Sequence, residues 1–376
     1  MRWAGVEPVV VGPTADRTMW SPSPAVRRFA HLNPGLMYLQ MRRALTARAA
    51  TLADGIAPLL AGADAVVSGL PTARLVPLLQ ARGVPARLAL MAPLTPHPAG
   101  TSAWSHTVTE LLPSVLESAR QRMLWRMTTG LSAALADEVA RRLTPTAPAT
   151  PDAPATPAAY RAPPALLATS AALDPDPAPD VQQVGWWADP APVTSLPTDL
   201  EEHLRRHPGG LLLALGSMPA DRPDQLVDRL AGVARRLGRP AVVQVAGARP
   251  GPRDGAFVVG EVDHRALLPH VVAAAHHGGA GTTHAVAAAG LPQVVVPHLG
   301  DQAHFARQVH RAGLGPAPLR PVLATPRTVV DRLHEALTAP RYAARARAAA
   351  AVMAAEDGLA TTVRVVGRMT QVGTHG

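Results

Sequence analysis

The chain of 376 residues contains no cysteine and no lysine. The absence of cysteine excludes disulfide bonds and thiol catalysis, and it fits a reducing compartment such as the cytoplasm. The absence of lysine excludes a P-loop, whose phosphate-binding sequence ends in Lys followed by Ser or Thr. No stretch approaches the roughly 18 apolar residues of a membrane span, and the N-terminus lacks the apolar segment of a signal peptide. We therefore expect a soluble, cytoplasmic protein.

The chain is strongly basic, with a formal net charge of +9. All 36 of its Lys and Arg positions are arginine. Such a charge can indicate nucleic-acid binding. Here the arginines are scattered, and only 3 Tyr and 3 Phe are present to stack on bases. The 40 prolines and the many alanines are typical of a high-GC genome. We expect no nucleic-acid partner, and a chain of this length can form two domains with separate cores.

The most informative segment is a glycine loop at residues 276–283, His-His-Gly-Gly-Ala-Gly-Thr-Thr. The apolar run Val271–Ala275 before it predicts a buried parallel strand. Residues 282–289 predict a helix that ends at Gly290, and residues 293–297 predict the next strand. Glycine lets backbone N–H groups at the start of a helix approach an anion closely. The segment therefore predicts a phosphate-binding loop.

Two other interpretations of this loop are weaker. A dinucleotide fingerprint needs G-x-G-x-x-G, and from Gly279 the third glycine position is occupied by His284. Asp301 does lie about 20 residues beyond the loop, where a ribose-binding acid would stand. A purely structural turn would account for the glycines, but it gives no reason for the paired histidines.

Further motifs surround the glycine loop. They cover about half of the chain, roughly 184 to 368, and are found in Leu213–Met218, Gly260–Pro269, Pro297–Gln302, Ala303–Val309, Gly313–Gly315 and Ala355–Gly358. Together with the loop they closely resemble the C-terminal half of family 1 glycosyltransferases, above all the bacterial natural-product and sterol-type branch. The resemblance implies the GT-B fold, an α/β architecture in which two Rossmann-like domains face a cleft.

The resemblance also implies roles for individual residues, and we state them as expectations. His277 would donate to the donor diphosphate, and the loop from Gly278 to Thr282 would offer N–H groups and a hydroxyl. Asp301 and Gln302 would bind hydroxyl groups of the sugar, which suits an acceptor carboxylate and a bifunctional amide. The complete expected donor site is Gly216, Ser217, Val262, His264, His277, Gly278, Gly279, Ala280, Gly281, Thr282, Asp301 and Gln302.

One acidic pair has the spacing of a metal site. Asp174 and Asp176 form a D-x-D sequence, by which another large class of glycosyltransferases holds a divalent metal. The pair lies in the proline-rich run 173–179, which predicts an extended, solvated connector. The histidines lack zinc-type spacing. We therefore expect no metal ion and no other cofactor beyond the UDP- or dTDP-sugar substrate.

The N-terminal half predicts part of a second Rossmann-like domain. Strands are expected at 63–69 and 86–91 with a helix at 71–81 between them, followed by a long helical pattern at 105–143. Residues 144–164 have the composition of a linker. The expected domains are 1–165, on the acceptor side, and 184–368, on the donor side.

This N-terminal domain is expected to be incomplete. Residues 5–13 resemble what the family places after its first βαβ unit, and that unit carries the catalytic base on its loop. Three explanations remain open: an internal start site, a non-glycosylating relative, or a base supplied elsewhere. His97, after a predicted strand end, is a candidate for such a base. Missing strands would expose unpaired backbone edges, which favours either a truncated start or a protein partner that covers the gap.

Taken together with the glycine loop, the resemblance implies a hexosyltransferase. It would move a hexose from a nucleoside diphosphate to a hydroxyl of a small apolar natural product, with inversion and without a metal. As numbered, the chain is expected to transfer sugar poorly. The alternatives are an inactive auxiliary protein with a donor-type domain, and a related enzyme with chemistry other than glycosylation.

Overall fold

A computed structural model of the chain describes residues 34–94, 117–143, 163–177, 181–220, 222–298, 300–320 and 324–372. These residues form two separate sheets, one of four strands and one of six. All strand pairings are parallel except one at the edge of the second sheet. The α/β class expected from the sequence is therefore confirmed.

The first sheet has its strands in chain order. Its strands are β1 (Val66–Ser68), β2 (Ala86–Leu90), β3 (Ala165–Leu167) and β4 (Val181–Gln183). The strands β1 and β2 lie within the two strands predicted from the sequence. The sheet continues past residue 165, where we expected the N-terminal domain to end, because β3 and β4 pair in parallel with β2 and with each other.

Helices cover the first sheet. They are α1 (Pro34–Ala61), a 3-10 turn (Leu70–Thr72), α2 (Leu75–Gln80), α3 (Glu117–Gly130) and α4 (Ala133–Leu143). The helical pattern predicted for 105–143 is thus two helices within the described residues, separated by a turn in which Ser132 Oγ donates to the Thr129 carbonyl. Trp125 of α3 is fully buried in the core. Arg142 of α4 binds Asp54 of α1 at 2.7 Å, which ties these two helices together.

The second sheet has the order β10-β9-β5-β6-β8-β7. Its strands are β5 (Gly210–Pro219), β6 (Ala241–Ala246), β7 (Gly251–Arg253), β8 (Ala256–Val259), β9 (Val271–His276) and β10 (Gln293–Val295). The central strands are almost entirely apolar, since helices cover both faces of the sheet. β9 and β5 are neighbours, so their carboxyl ends lie side by side.

Eight helices accompany the second sheet in the described residues. They are α5 (Thr198–Arg206), α6 (Pro223–Arg236), α7 (His264–Leu267), α8 (Ala280–Ala288), α9 (Gln302–Arg311), α10 (Pro326–Thr338), α11 (Pro340–Ala354) and α12 (Gly358–Val372). The last helix contacts the first sheet. Val365 is buried against Leu166 and Ala168, and Trp187 Nε1 donates to Thr362 Oγ1 at 2.8 Å. The two sheets are thus joined at the end of the chain as well as between β4 and α5.

Several expectations concern residues outside the described ranges, namely the motif at 5–13, His97, and nearly all of the expected linker 144–164. They stay predictions. A search of the helices in the described ranges finds none long and apolar enough to cross a membrane. The cytoplasmic location also stays a prediction.

Candidate functional site

The glycine loop connects β9 to α8, as its sequence predicts. The two adjacent histidines have different surroundings. His276 is fully buried, its Nε2 lies 2.8 Å from Gln293 Oε1, and its Nδ1 accepts from the Gly278 N–H at 3.0 Å. Burial lowers the pKa of His276 to about 3, so this ring is neutral at ordinary pH. His276 therefore holds the loop in shape, and His277 is the histidine left for a ligand.

The ring of His277 lies between two glycines. A Cβ atom on Gly216, in the second half of β5, would lie 2.7 Å from its Cε1 atom, and one on Gly279 would lie 2.5 Å from its Nε2 atom. Gly216 also has a φ of +58°, in the left-handed region. Both positions therefore require glycine for the ring to take this place. Burial lowers the pKa of His277, so the unliganded ring is neutral at pH 7.

The loop then turns sharply into α8. Gly278 has a φ of +87°, and a Cβ there would lie 2.7 Å from Val295 Cγ1. α8 begins at Ala280, and no side chain caps its first turn. The first N–H groups of a helix have no partner within the helix, so those of Ala280, Gly281 and Thr282 can donate to a ligand of this loop. The geometry suits an anion.

Asp301 and Gln302 lie at the start of α9, after β10, on the same sheet edge as the glycine loop. Burial raises the pKa of the Asp301 carboxyl. Gln302 is buried, and its Oε1 accepts from the His298 N–H at 2.7 Å. The amide oxygen of Gln302 thus shapes the preceding loop in the unliganded protein, a role that the sequence did not indicate.

Two further residues of the expected donor site, Val262 and His264, lie at the entrance to α7. His264 Nε2 lies 3.1 Å from Gln244 Oε1, and Gln244 Nε2 donates to the Gly260 carbonyl. Val262 packs at the edge of a hydrophobic cluster. Asp263 between them caps α7 by accepting from Arg265, whose guanidinium holds the pKa of that carboxyl well below its usual range. The side chain of Ser217 lies outside the described residues.

A buried histidine of α8 joins the two sheets, and sequence analysis did not detect it. His284 Nε2 accepts from the Ser170 N–H of the β3–β4 loop at 3.2 Å, and its Nδ1 lies 2.7 Å from the Ala280 carbonyl. The ring stacks on Trp186 at 5.7 Å. Phe305 of α9 meets its edge at 5.4 Å and belongs to the N-terminal core. Burial lowers the pKa of His284 to about 4, so the ring is a neutral donor and acceptor.

Glu356 closes the same interface. Its Oε1 accepts from Ser170 Oγ at 3.0 Å and from the Ala171 N–H at 2.9 Å. Its Oε2 accepts from the Trp186 N–H at 3.4 Å. One carboxylate therefore connects the β3–β4 loop, the segment between the sheets, and the start of α12.

The expectation for the D-x-D sequence was wrong for its first residue. Asp174 is only 4% exposed and ends a short turn in place of an extended, solvated connector. Its Oδ1 accepts from Gln308 Nε2 at 2.8 Å. Asp176 is exposed, as expected. Across the described ranges, no group of three or more His, Asp or Glu side chains is placed to hold a metal ion.

The comparisons with known proteins agree with this geometry. Residues 250–369 match the family model of the erythromycin biosynthesis protein CIII-like C-terminal domain. The chain is 37% identical over 207 residues to the vancomycin aglycone glucosyltransferase of Amycolatopsis orientalis. The matched segment covers 52% of this chain and 49% of that relative. It is 28% identical over 194 residues to a sterol 3-beta-glucosyltransferase of Arabidopsis thaliana, or 50% of this chain and 30% of the relative.

Solved structures show the same fold. The glycosyltransferase SnogD from Streptomyces nogalater has a TM-score of 0.58 and 17% identity, over 96% of this chain and 86% of that one. LpCGTa in complex with UDP has a TM-score of 0.57 and 19% identity, over 90% of this chain and 82% of that one. SsfS6 of Streptomyces sp. SF2575, complexed with thymidine diphosphate, has a TM-score of 0.55 and 19% identity, over 88% and 77%.

These solved structures show that the chain has the GT-B fold. The similarity to family 1 glycosyltransferases lies in the C-terminal half of the chain. The chain spans about half the length of the curated relatives that it matches.

Proposed function

We propose that the chain binds a UDP- or dTDP-linked hexose at the loop from His277 to Thr282 and transfers the hexose to a hydroxyl group. The observation that carries this proposal is the position of the His277 ring, held between Gly216 and Gly279 beside the uncapped start of α8. Neutral imidazole and backbone N–H groups are fixed donors, and a diphosphate presents oxygens that accept from all of them.

The same donors would accelerate the reaction. When the bond between the sugar and the diphosphate breaks, negative charge grows on the leaving diphosphate. Donors that are already aimed at those oxygens stabilise the transition state more than the ground state. Because these groups can stabilise the leaving charge, we propose metal-independent transfer. Inversion is proposed from the resemblance to family 1 glycosyltransferases.

Asp301 and Gln302 are the proposed sugar-binding pair. They follow β10 at its carboxyl end, where ligands of open α/β sheets lie. We propose that the half-buried Asp301 carboxyl accepts hydrogen bonds from sugar hydroxyls. Val262 and His264, near the carboxyl end of β8, are the proposed contacts of the nucleobase. For the acceptor we propose a small apolar natural product, by analogy with the antibiotic and sterol relatives.

The substitution His277→Ala tests the proposal. Wild type and variant would be titrated with UDP and dTDP by calorimetry. Loss of a hydrogen bond to a charged group is worth roughly 1.5–3 kcal/mol, so affinity should fall about tenfold or more. No binding of either nucleotide to the wild type would refute the proposal. The substitution His334→Ala, at an exposed position on α10, is the control and should leave affinity unchanged.

A second candidate is a glycosyltransferase-like partner protein without activity of its own. The observation that favours it is that β1 stands at the edge of the first sheet within the described residues. An open strand edge can pair with another chain. Turnover of UDP-glucose or dTDP-glucose with a hydroxylated polyketide or sterol by the purified chain would eliminate this candidate.

A further inference from the structure

A buried acidic residue of the N-terminal half contacts the helix that begins with the proposed sugar-binding pair. Asp174 Oδ1 accepts from Gln308 Nε2 at 2.8 Å, and Asp174 Oδ2 lies 3.5 Å from His304 Nε2. His304 and Gln308 are one helical turn apart on α9, so they present their side chains to the same side. The two oxygens of one carboxylate therefore face two positions on one helix.

Burial makes this contact energetically important. The side chains of Asp174 and His304 are only 6% and 8% exposed. Oδ2 of Asp174 and Nε2 of His304 are both fully shielded from solvent, and neither has a hydrogen-bonding partner within the described part of the chain. Unpaired polar atoms are costly in such surroundings. The two atoms lie 3.5 Å apart, and their chemistry is complementary, because a carboxylate oxygen accepts and an imidazole N–H donates.

The loop that carries Asp174 is itself anchored to the second domain. Ser170, four residues earlier, donates through its N–H to His284 and through its hydroxyl to Glu356. Gln183 Nε2 donates to the Asp174 carbonyl at 2.9 Å, which ties the residue back to β4. Asp174 is thus held firmly by the N-terminal sheet while its carboxylate reaches across to α9.

His304 is close to the proposed sugar-binding pair along α9. Asp301 immediately precedes the helix, and His304 lies about one turn after Asp301. A helix is stiff over one turn because its backbone hydrogen bonds connect successive turns. A shift at His304 must therefore move Asp301 and Gln302. The glycine loop packs beside Gln302 but has further supports of its own in β9, His276 and Val295.

We propose that Asp174 is a positioning residue for the donor sugar. By holding His304 and Gln308 it sets the place of the first turn of α9, and with it the place of Asp301 and Gln302. The inference rests on the proposed donor-binding function. It predicts that Asp174 affects binding of the sugar and leaves binding of the nucleotide unchanged.

The neighbouring Asp176 supplies a matched control, because it is exposed and only two residues away. Asp174→Ala, Asp174→Asn and Asp176→Ala would be titrated with UDP, UDP-glucose, dTDP and dTDP-glucose. For Asp174→Ala the ratio of the Kd of the sugar nucleotide to that of the free nucleotide should rise about fivefold. Asp174→Asn keeps an acceptor for Gln308 and should recover part of this loss. Asp176→Ala should match the wild type.

Amide hydrogen exchange at residues 301–305 provides a second measurement that needs no ligand. It should become faster in Asp174→Ala and stay unchanged in Asp176→Ala. If the wild type binds no nucleotide, the donor-binding proposal fails, and this exchange alone decides whether Asp174 holds α9. Equal weakening of nucleotide and sugar nucleotide, or unchanged exchange at 301–305, would overturn the inference.

A variant on the other side of the contact protects the test against misfolding. If Asp174→Ala does not fold, Gln308→Ala should produce the same rise in the ratio, since it removes the 2.8 Å bond from α9. Where both fold, the double variant should be no worse than either single one, as expected for residues that act through one contact. Fully additive effects would contradict a shared role.

Discussion

Gly279 leaves no room for a side chain beside His277, because a Cβ atom at this position would lie 2.5 Å from Nε2 of the ring. The φ of Gly279 is −62°, which any residue can adopt, so the requirement comes from the ring alone. Gly279→Ala should therefore displace His277 without straining the backbone. We expect UDP and dTDP affinity to fall about tenfold and stability to fall by about 1–3 kcal/mol.

Calorimetry and urea unfolding would measure the two effects. Gly232→Ala is the control, since Gly232 lies in α6 and a Cβ there would meet only the end of Arg235, at 3.7 Å. It should leave affinity unchanged and raise stability by about 0.5–1 kcal/mol, as alanine favours a helix. Wild-type affinity in Gly279→Ala would show that the ring position is irrelevant to binding.

Substitution of Asp301 should weaken binding of the sugar and leave binding of the free nucleotide nearly unchanged. Asp301→Ala removes the carboxylate that we assign to sugar hydroxyls, and within the described residues that carboxylate has no hydrogen bond to the glycine loop or to α7. Use of UDP-glucose or dTDP-glucose should fall about tenfold or more, while Kd for the free nucleotides stays within about twofold. Asp331→Ala, at an exposed position on α10, should change neither. Equal loss for both kinds of ligand would give Asp301 a structural or nucleotide-binding role.

Buried neutral histidines should make the fold sensitive to acid. The pKa of His284 is lowered to about 4 from an unfolded value near 6.5. Between these two pH values the unfolded chain binds a proton at His284 and the folded chain does not. The stability that His284 contributes is complete above pH 6.5 and is lost as the pH falls towards 4. At about 1.4 kcal/mol per pH unit, the loss is at most about 3 kcal/mol. His276, with a pKa of about 3, adds a loss of the same sign.

Urea unfolding between pH 7 and pH 4 would measure this dependence. His284→Gln should be less stable at pH 7 but should show a shallower decline in acid. His334→Gln, at an exposed position, should keep the wild-type slope. A wild-type stability that does not change between pH 6.5 and pH 4 would contradict the buried neutral state of His284.

Local signals in the sequence predicted the donor-side unit well. The apolar run before the glycines forms β9, and Gly290 ends α8 with a φ of +70°. The helix itself begins at Ala280, two residues before the expected start, because the second half of the loop is already helical. Strand, turn and helix cap depend on neighbouring residues, so they can be recognised without knowledge of the fold.

Contacts between distant segments could not be predicted in this way. Asp174 lies in a proline-rich run typical of an exposed connector, and its partner Gln308 is 134 residues away. Phe305 lies on a helix of the second domain but is buried in the core of the first. Such burial depends on how the two sheets meet. The periodicity of one helix indicates which side is apolar but does not indicate which domain will cover it.

The last prediction concerns Glu356, whose carboxylate accepts from Ser170, Ala171 and Trp186. Glu356→Ala leaves these donors without their partner and should lower stability by about 1–3 kcal/mol. Because Glu356 lies two residues before α12, the loss should also loosen this helix from the first sheet, and amide exchange should become faster at residues 170–171 and 360–365. Glu201→Ala, at an exposed position in α5, is the control and should alter neither stability nor exchange. Unfolding in urea would give the stability, and mass spectrometry would give the exchange. If exchange at 360–365 stayed at the wild-type rate while stability fell, Glu356 would stabilise its own segment only and would not connect the two domains.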